Sequence, residues 1–283
     1  MKKIITIVAM VLLISIVSFA AIGCTSVEYS VGKEVVELAS QVDILTELTS
    51  KTADIGILDS TLAGYYLTSS SYADSLTILD IELLEESDSY GIAGRKEADS
   101  TMYQINTALL ALANNGTVDT IATEYGLTET VIIDKDYVLG EDTSTDSDWD
   151  KIVAAGELVV GYTVFAPIAY TDANGDFVGF DTDLAKAVGT YLGITIKFVE
   201  IEWASKELEL QSYNIDLIWN GMTITDERED SMNISIPYLS NEQVAICRTE
   251  DAYLYTSLDS FADAIIAIES GSSAARVAYV IED

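Results

Sequence analysis

From residue 35 onward, short apolar runs of strand length alternate with longer segments whose apolar residues recur every three or four positions. Strand-like runs at 35–39 and 53–59 are each followed by a helical segment, 41–51 and 60–67. Runs at 76–84 and 90–94 read as further strands. Met102, Ile105, Leu109 and Leu112 then share one face of a helix that Asn114, Asn115 and Gly116 end. A second block resumes the pattern at Trp149, with strands at 158–162, 194–201 and 215–219 and a turn at 172–176. It includes a helix that Asp181 is expected to cap and whose Leu184, Val188 and Tyr191 lie on one face. Such alternation argues for an α/β sheet.

Between the blocks, 129–148 loses periodicity and turns acidic, reading GEDTSTDSD at 140–148, so it is expected to act as a linker. The organisation is therefore 1–24, 25–128, 129–148 and 149–283.

Residues 1–24 stand apart. Lys2 and Lys3 precede an apolar run at 4–22, and small residues lead to Cys24, the pattern of a secretory signal. An uncleaved anchor is the alternative, since the run approaches the ~20 residues that span a bilayer. Either reading puts the rest of the chain outside the cytoplasm, as no second long apolar run follows.

With 49% hydrophobic residues the 283-residue chain has ample material for a core. Its formal net charge of −33 argues against nucleic acid as a partner. The absence of histidine removes serine-histidine and cysteine-histidine nucleophile pairs and histidine metal ligands together. If Cys24 carries lipid, only Cys247 remains, in a run at 243–248 that reads as a core strand, and neither an internal disulfide nor a cysteine metal site can then form. No cofactor, metal or catalytic group is expected.

Four consecutive stretches of the second block carry a resemblance: GELVVG at 156–161 leading to Phe165, GDFVGFDTDLA at 175–185, IEW at 201–203 and DLIWNGMTITDER at 216–228. With IAIESGSS at 266–273, they are similar to the opening part of the bacterial extracellular solute-binding proteins, family 3. The front block, through ADIGILD at 53–59, Tyr65-Tyr66, YGIA at 90–93 and INTAL at 105–109, resembles that family's closing half. The resemblance implies a two-lobe, type II periplasmic-binding-protein-like α/β fold with a hinge and an interlobe cleft. The halves stand in reversed order, which implies a circular permutant or else a piece of a tandem array of binding modules. The 1–24 segment resembles a lipoprotein signal with its lipobox. That implies acylation of Cys24, attachment to the membrane through N-terminal lipid, and work on the extracytoplasmic face beside an ABC transporter permease.

Free amino acids present a carboxylate, an ammonium and a variable side chain, so a cleft that holds them needs a planar cation, a buried anion and an adaptable wall. The resemblance puts Arg228 where the family binds the ligand carboxylate. From local sequence alone Arg228 reads as a surface ion pair with Asp226, Glu227, Glu229 or Asp230. Asn220, Gly221, Met222 and Thr223 follow a buried strand, and their backbone groups and the Thr223 hydroxyl are expected to complete the ligand's hydrogen bonds, an ordinary strand-to-helix turn being the alternative. Asp59 is expected to face the ammonium, although an Asp before a helix also suits an N-cap. Ser272 and Ser273 stand at a strand-to-helix junction that can receive a carboxylate. Phe165 and Trp203 are candidate walls, by burial and cation–π contact. A dehydratase-like enzyme on the same fold, using Glu202 or Glu269, is the enzymatic alternative; a sensory module is a third.

Overall fold

The computed structural model describes residues 27–69, 71–85 and 87–282. The signal segment and Cys24 lie outside the described residues. Among the described residues no helix is long and apolar enough to cross a membrane.

Two mixed sheets organise the chain. The first runs Glu34–Leu38, Ile265–Glu269, Ile55–Asp59, Gln243–Arg248 and Leu76–Ile78. Its first three strands are parallel and its last two pairings antiparallel. The second runs Met232–Ile234, Asp88–Arg95, Leu217–Thr223, Glu157–Tyr162 and Thr195–Glu200, with Leu239–Asn241 also paired to Asp88–Arg95. Both sheets draw strands from before and after the 129–148 segment. The chain passes from the first sheet to the second between Ile78 and Asp88 and returns at Glu242. Two lobes joined by a pair of crossings are the result, the α/β architecture that the alternation and the resemblance imply.

Local chemistry explains the elements. Ser40 caps the helix Gln41–Thr49 by accepting from the Asp43 amide at 3.2 Å, and Ile44, Leu45 and Leu48 bury one face against the first sheet. In the second lobe, helices Asp99–Asn114 and Thr117–Tyr125 pack against Phe180–Leu192. Those two helices come from the front block, so this lobe's outer layer is also built from both ends of the chain. Cys247 is buried in its expected core strand, and burial pushes its thiol up to about 11.

Three expectations change. The run at 76–84 keeps only Leu76–Ile78 as strand; Leu79 and Leu83 instead drop irregularly into the apolar cluster around Phe261 as the chain leaves the sheet. Asp181 does not cap its helix. The helix starts at Phe180 behind Gly179, and the Asp181 side chain turns inward, where the fold supplies it with buried partners. The acidic stretch 129–148 runs irregularly but is fastened: the Ile132 amide donates to the Tyr238 carbonyl at 3.1 Å, Ile133 is buried, and Asp146 accepts from the Ser100 amide at 2.9 Å.

Arg95, at the end of a front-block strand, pins the second block from beneath. It donates to Asp148 at 3.0 Å, to Asp216 at 3.2 Å and to the Ile215 carbonyl at 2.9 Å, and its guanidinium lies 4.3 Å from the centre of the Tyr213 ring.

Candidate functional site

The C-terminal ends of Ile55–Asp59 and Ile265–Glu269 in one lobe meet the ends of Leu217–Thr223 and Glu157–Tyr162 in the other, the usual place for a ligand in an α/β sheet. Asp59, Phe165, Trp203, Asn220, Gly221, Thr223, Arg228, Ser272 and Ser273 line one cavity there. Its volume is about 10 Å³, close to the minimum for a single water molecule. The lobes are thus closed on one another.

Arg228 lies on the short helix Asp226–Ser231, which Thr225 caps by accepting from the Arg228 amide at 3.3 Å. This turn carries the side chain inward, away from its acidic neighbours in sequence, and leaves it only 7% exposed. Its guanidinium donates to the carbonyls of Thr223 at 2.7 Å and Gly271 at 3.2 Å, the latter across the cleft. Among the described residues it has no carboxylate partner within ion-pair distance. The surface ion pair suggested by local sequence therefore does not form. Burial lowers its affinity for the proton, and the Asp59 charge opposes that effect.

Asp59 faces it from the other lobe. Its carboxylate accepts from the side-chain amides of Gln41, Asn241 and, at 2.7 Å, Gln243. Burial raises its pKa, opposed by these three amides. Asn241 and Gln243 flank the return crossing at Glu242, so the acid is tied to the point where the lobes join.

Thr223 and Ser273 bring their hydroxyl oxygens within 3.1 Å across the cleft. Ser272 is buried beside them. The helix expected after them is a single turn, Ala275–Ala278, so a helix dipole contributes little here. Asn220 places its amide 2.8 Å from the Thr163 hydroxyl. Phe165 packs edge-on against Tyr90, with 6.5 Å between ring centres. Trp203 takes its cations from the protein: the Lys206 ammonium at 4.9 Å and the Arg228 guanidinium at 5.9 Å from the ring centre. Lys206 is buried, and burial together with the Arg228 charge pulls it down to about 8.

Two expectations fail in detail. Met222 does not reach the cavity; it packs with Ala93, Ile218 and Met232 on the other face of its strand. Successive side chains of a strand alternate in direction, so Thr223 and Met222 cannot both face the cleft. Gly221 lines the cavity, but its amide is already taken by Asp181 at 2.7 Å. The backbone there has φ of 58°, and an added Cβ would stand 2.8 Å from Phe165.

Beneath this turn Asp181 is fully buried, and one of its oxygens accepts from both the Gly221 amide and the Tyr238 hydroxyl, the latter at 2.8 Å. Burial pushes it up to about 7, opposed by those two hydrogen bonds and by the Trp219 indole. Gln41, Thr163, Val164 and Glu269 also line the cavity. Gln41, Thr163 and Val164 escaped sequence reasoning, while Glu269 was weighed only as an enzyme's acid. Burial, reinforced by the Asp59 charge, pushes Glu269 up to about 8 against the pull of Gln41, Lys206 and Arg228.

Residues 158–274 match the model of the bacterial extracellular solute-binding proteins, family 3. This segment belongs to that family. A probable histidine-binding protein of Neisseria gonorrhoeae is 37% identical over 82 residues, 29% of this chain and 31% of its relative. The cyclohexadienyl dehydratase of Pseudomonas aeruginosa is 27% identical over 115 residues, 40% of this chain and 43% of that one. Among solved structures, a histidine-bound substrate-binding protein of an ABC uptake transporter from Streptococcus pneumoniae is 41% identical across 31% of this chain and 36% of its own, with a TM-score of 0.29. The chain spans under half the length of the curated relatives it matches.

Proposed function

We propose that the chain captures a free amino acid between its lobes, as the extracytoplasmic binding component of an ABC transporter. One observation carries this reading. Arg228, a buried guanidinium without a carboxylate partner among the described residues, shares a cavity with the buried carboxylate of Asp59, contributed by a segment far away in sequence. An amino acid's carboxylate and ammonium would satisfy one group each, and a bidentate carboxylate suits the guanidinium fork. The Thr223 and Ser272 hydroxyls are at hand for the remaining carboxylate lone pairs. The binding proteins among its relatives, one named for histidine, support the ligand class.

The closed cavity of about 10 Å³ is far smaller than the roughly 300 Å³ at the lower end of ligand pockets, so capture requires the lobes to part. Parting breaks the Arg228–Gly271 and Thr223–Ser273 contacts, which are weak and cross the cleft. Ligand then replaces them as the bridge, and the crossings near Asp88 and Glu242 serve as the hinge. The chain binds rather than transforms its ligand. A dehydratase reading gains support from a single feature, the protonated character of Glu269 inside the cavity, and appearance of product from bound ligand would establish it.

Acylation at Cys24 with attachment to the outer face of the membrane, and delivery to a permease, belong to the same proposal. So does circular permutation, which is supported by strands from 34–95 and 157–269 pairing with one another within both sheets.

Titration calorimetry of the whole chain against the twenty common amino acids tests the reading. Arg228→Ala should weaken the tightest ligand by about 1.5 kcal/mol or more, the lower range for a charged hydrogen bond. Unaltered affinity would reject the assignment.

A further inference from the structure

Glu269 has no role in holding an amino acid's backbone, yet it ends its strand beside Asp59, on the neighbouring parallel strand, and lines the same cavity. Once a ligand's carboxylate has met Arg228 and its ammonium Asp59, every charge of a neutral amino acid is matched, and Glu269 is left over. The charged groups facing Glu269 from the surrounding elements are Asp59, Lys206 and Arg228, with the Gln41 amide. None forms an ion pair with it among the described residues. The Lys206 ammonium is directed to the carbonyls of Gly271 at 3.0 Å and Trp203 at 3.4 Å instead. A carboxylate buried in this way is costly unless a cation reaches it.

Resting on the proposed function, we infer that the ligand carries a second positive charge, as a dibasic amino acid does, and that Glu269 is the carboxylate that selects it. The proton that burial holds on Glu269 near neutral pH leaves for solvent when the ligand's side-chain cation arrives.

Arginine and citrulline have nearly the same shape and differ in side-chain charge, so the pair isolates the effect. Calorimetry on the whole chain should show L-arginine at least about tenfold tighter than L-citrulline, with the ratio falling to about threefold or less in Glu269→Gln. Should that variant not fold, the wild-type chain still decides: at pH 7, in buffers of different ionisation enthalpy, arginine should release more protons than citrulline, which shares its ammonium but not its side-chain charge. Equal affinities, a neutral amino acid as tightest ligand, an unchanged ratio in the variant, or equal proton release by the two ligands would each overturn the inference while leaving amino-acid capture intact. No binding by any amino acid would overturn both.

Discussion

Replacing Asp181 by Asn should stabilise this protein at alkaline pH and leave it nearly unchanged in acid. Both hydrogen bonds to the carboxyl group, from the Gly221 amide and the Tyr238 hydroxyl, arrive at the same oxygen. An Asn side chain can offer its carbonyl oxygen in that position and keep both, so the variant mimics the protonated acid in shape and in hydrogen bonding. Burial pushes Asp181 from 3.8 up to about 7, so between these values the folded chain holds a proton that the unfolded chain has released. The resulting stability is fully present below pH 3.8 and is lost as pH rises through 7. At about 1.36 kcal/mol per pH unit, the whole change is worth about 4 kcal/mol. Asp59 and Glu269 are raised by burial too and tilt the stability of both proteins the same way, so the informative quantity is the difference between them. Guanidinium unfolding, followed by tryptophan fluorescence from pH 4 to 8.5, measures that difference. The variant should match the parent at pH 4 and exceed it by several kcal/mol at pH 8. A gap that stays constant with pH would refute the claim that Asp181 is a buried acid with a raised pKa.

Two further outcomes follow. Arg95→Ala should cost about 2–3 kcal/mol, because it removes charged hydrogen bonds to Asp148 and Asp216 and unties the front block from the back, while Lys151 stays on Asp148; a loss below about 1 kcal/mol in chemical denaturation would contradict that role. Cys24→Ser should abolish incorporation of radiolabelled fatty acid into the chain in cells that express it, and unchanged incorporation would count against lipid attachment at that residue.

Much of the fold was legible because its periods are local. Strand and helix alternate visibly along both blocks, and the expected elements at 35–39, 41–51, 53–59 and 158–162 differ from the observed ones only at their ends. What could not be read depends on distant neighbours. Asp181 resembles a helix cap until the Gly221 turn and Tyr238 are packed over it. Arg228 sits among four acidic residues, and only the direction of a six-residue helix carries it away from them. Gln41 enters the site because its strand-to-helix connection ends beside Asp59, and Glu269 because two parallel strands separated by most of the chain lie side by side. Met222 differs for a simpler reason: a turn is expected after residue 219, but the strand continues through Thr223, and its alternation turns Met222 to the other face.

The placement of Asp59 joins ligand chemistry to lobe movement. Its carboxylate is held by amides on both sides of the return crossing, Asn241 on the second sheet and Gln243 on the first. Asn241 also pairs with Asp88, where the outgoing crossing ends, and the Asp88 carboxylate takes the Arg276 guanidinium at 2.6 Å. Any rotation of one lobe against the other must therefore strain or rearrange the hydrogen bonds around Asp59. With no ligand ammonium present, burial disfavours the ionised form of this group. An ammonium in the cavity would favour the ionised form and strengthen all three amide bonds in the closed arrangement, where charge-assisted bonds exceed neutral ones. Closure is then favoured by the same charge that recognises the ligand, and differential affinity for the closed state, the one thing a ligand needs to shift the equilibrium, arises at the hinge itself.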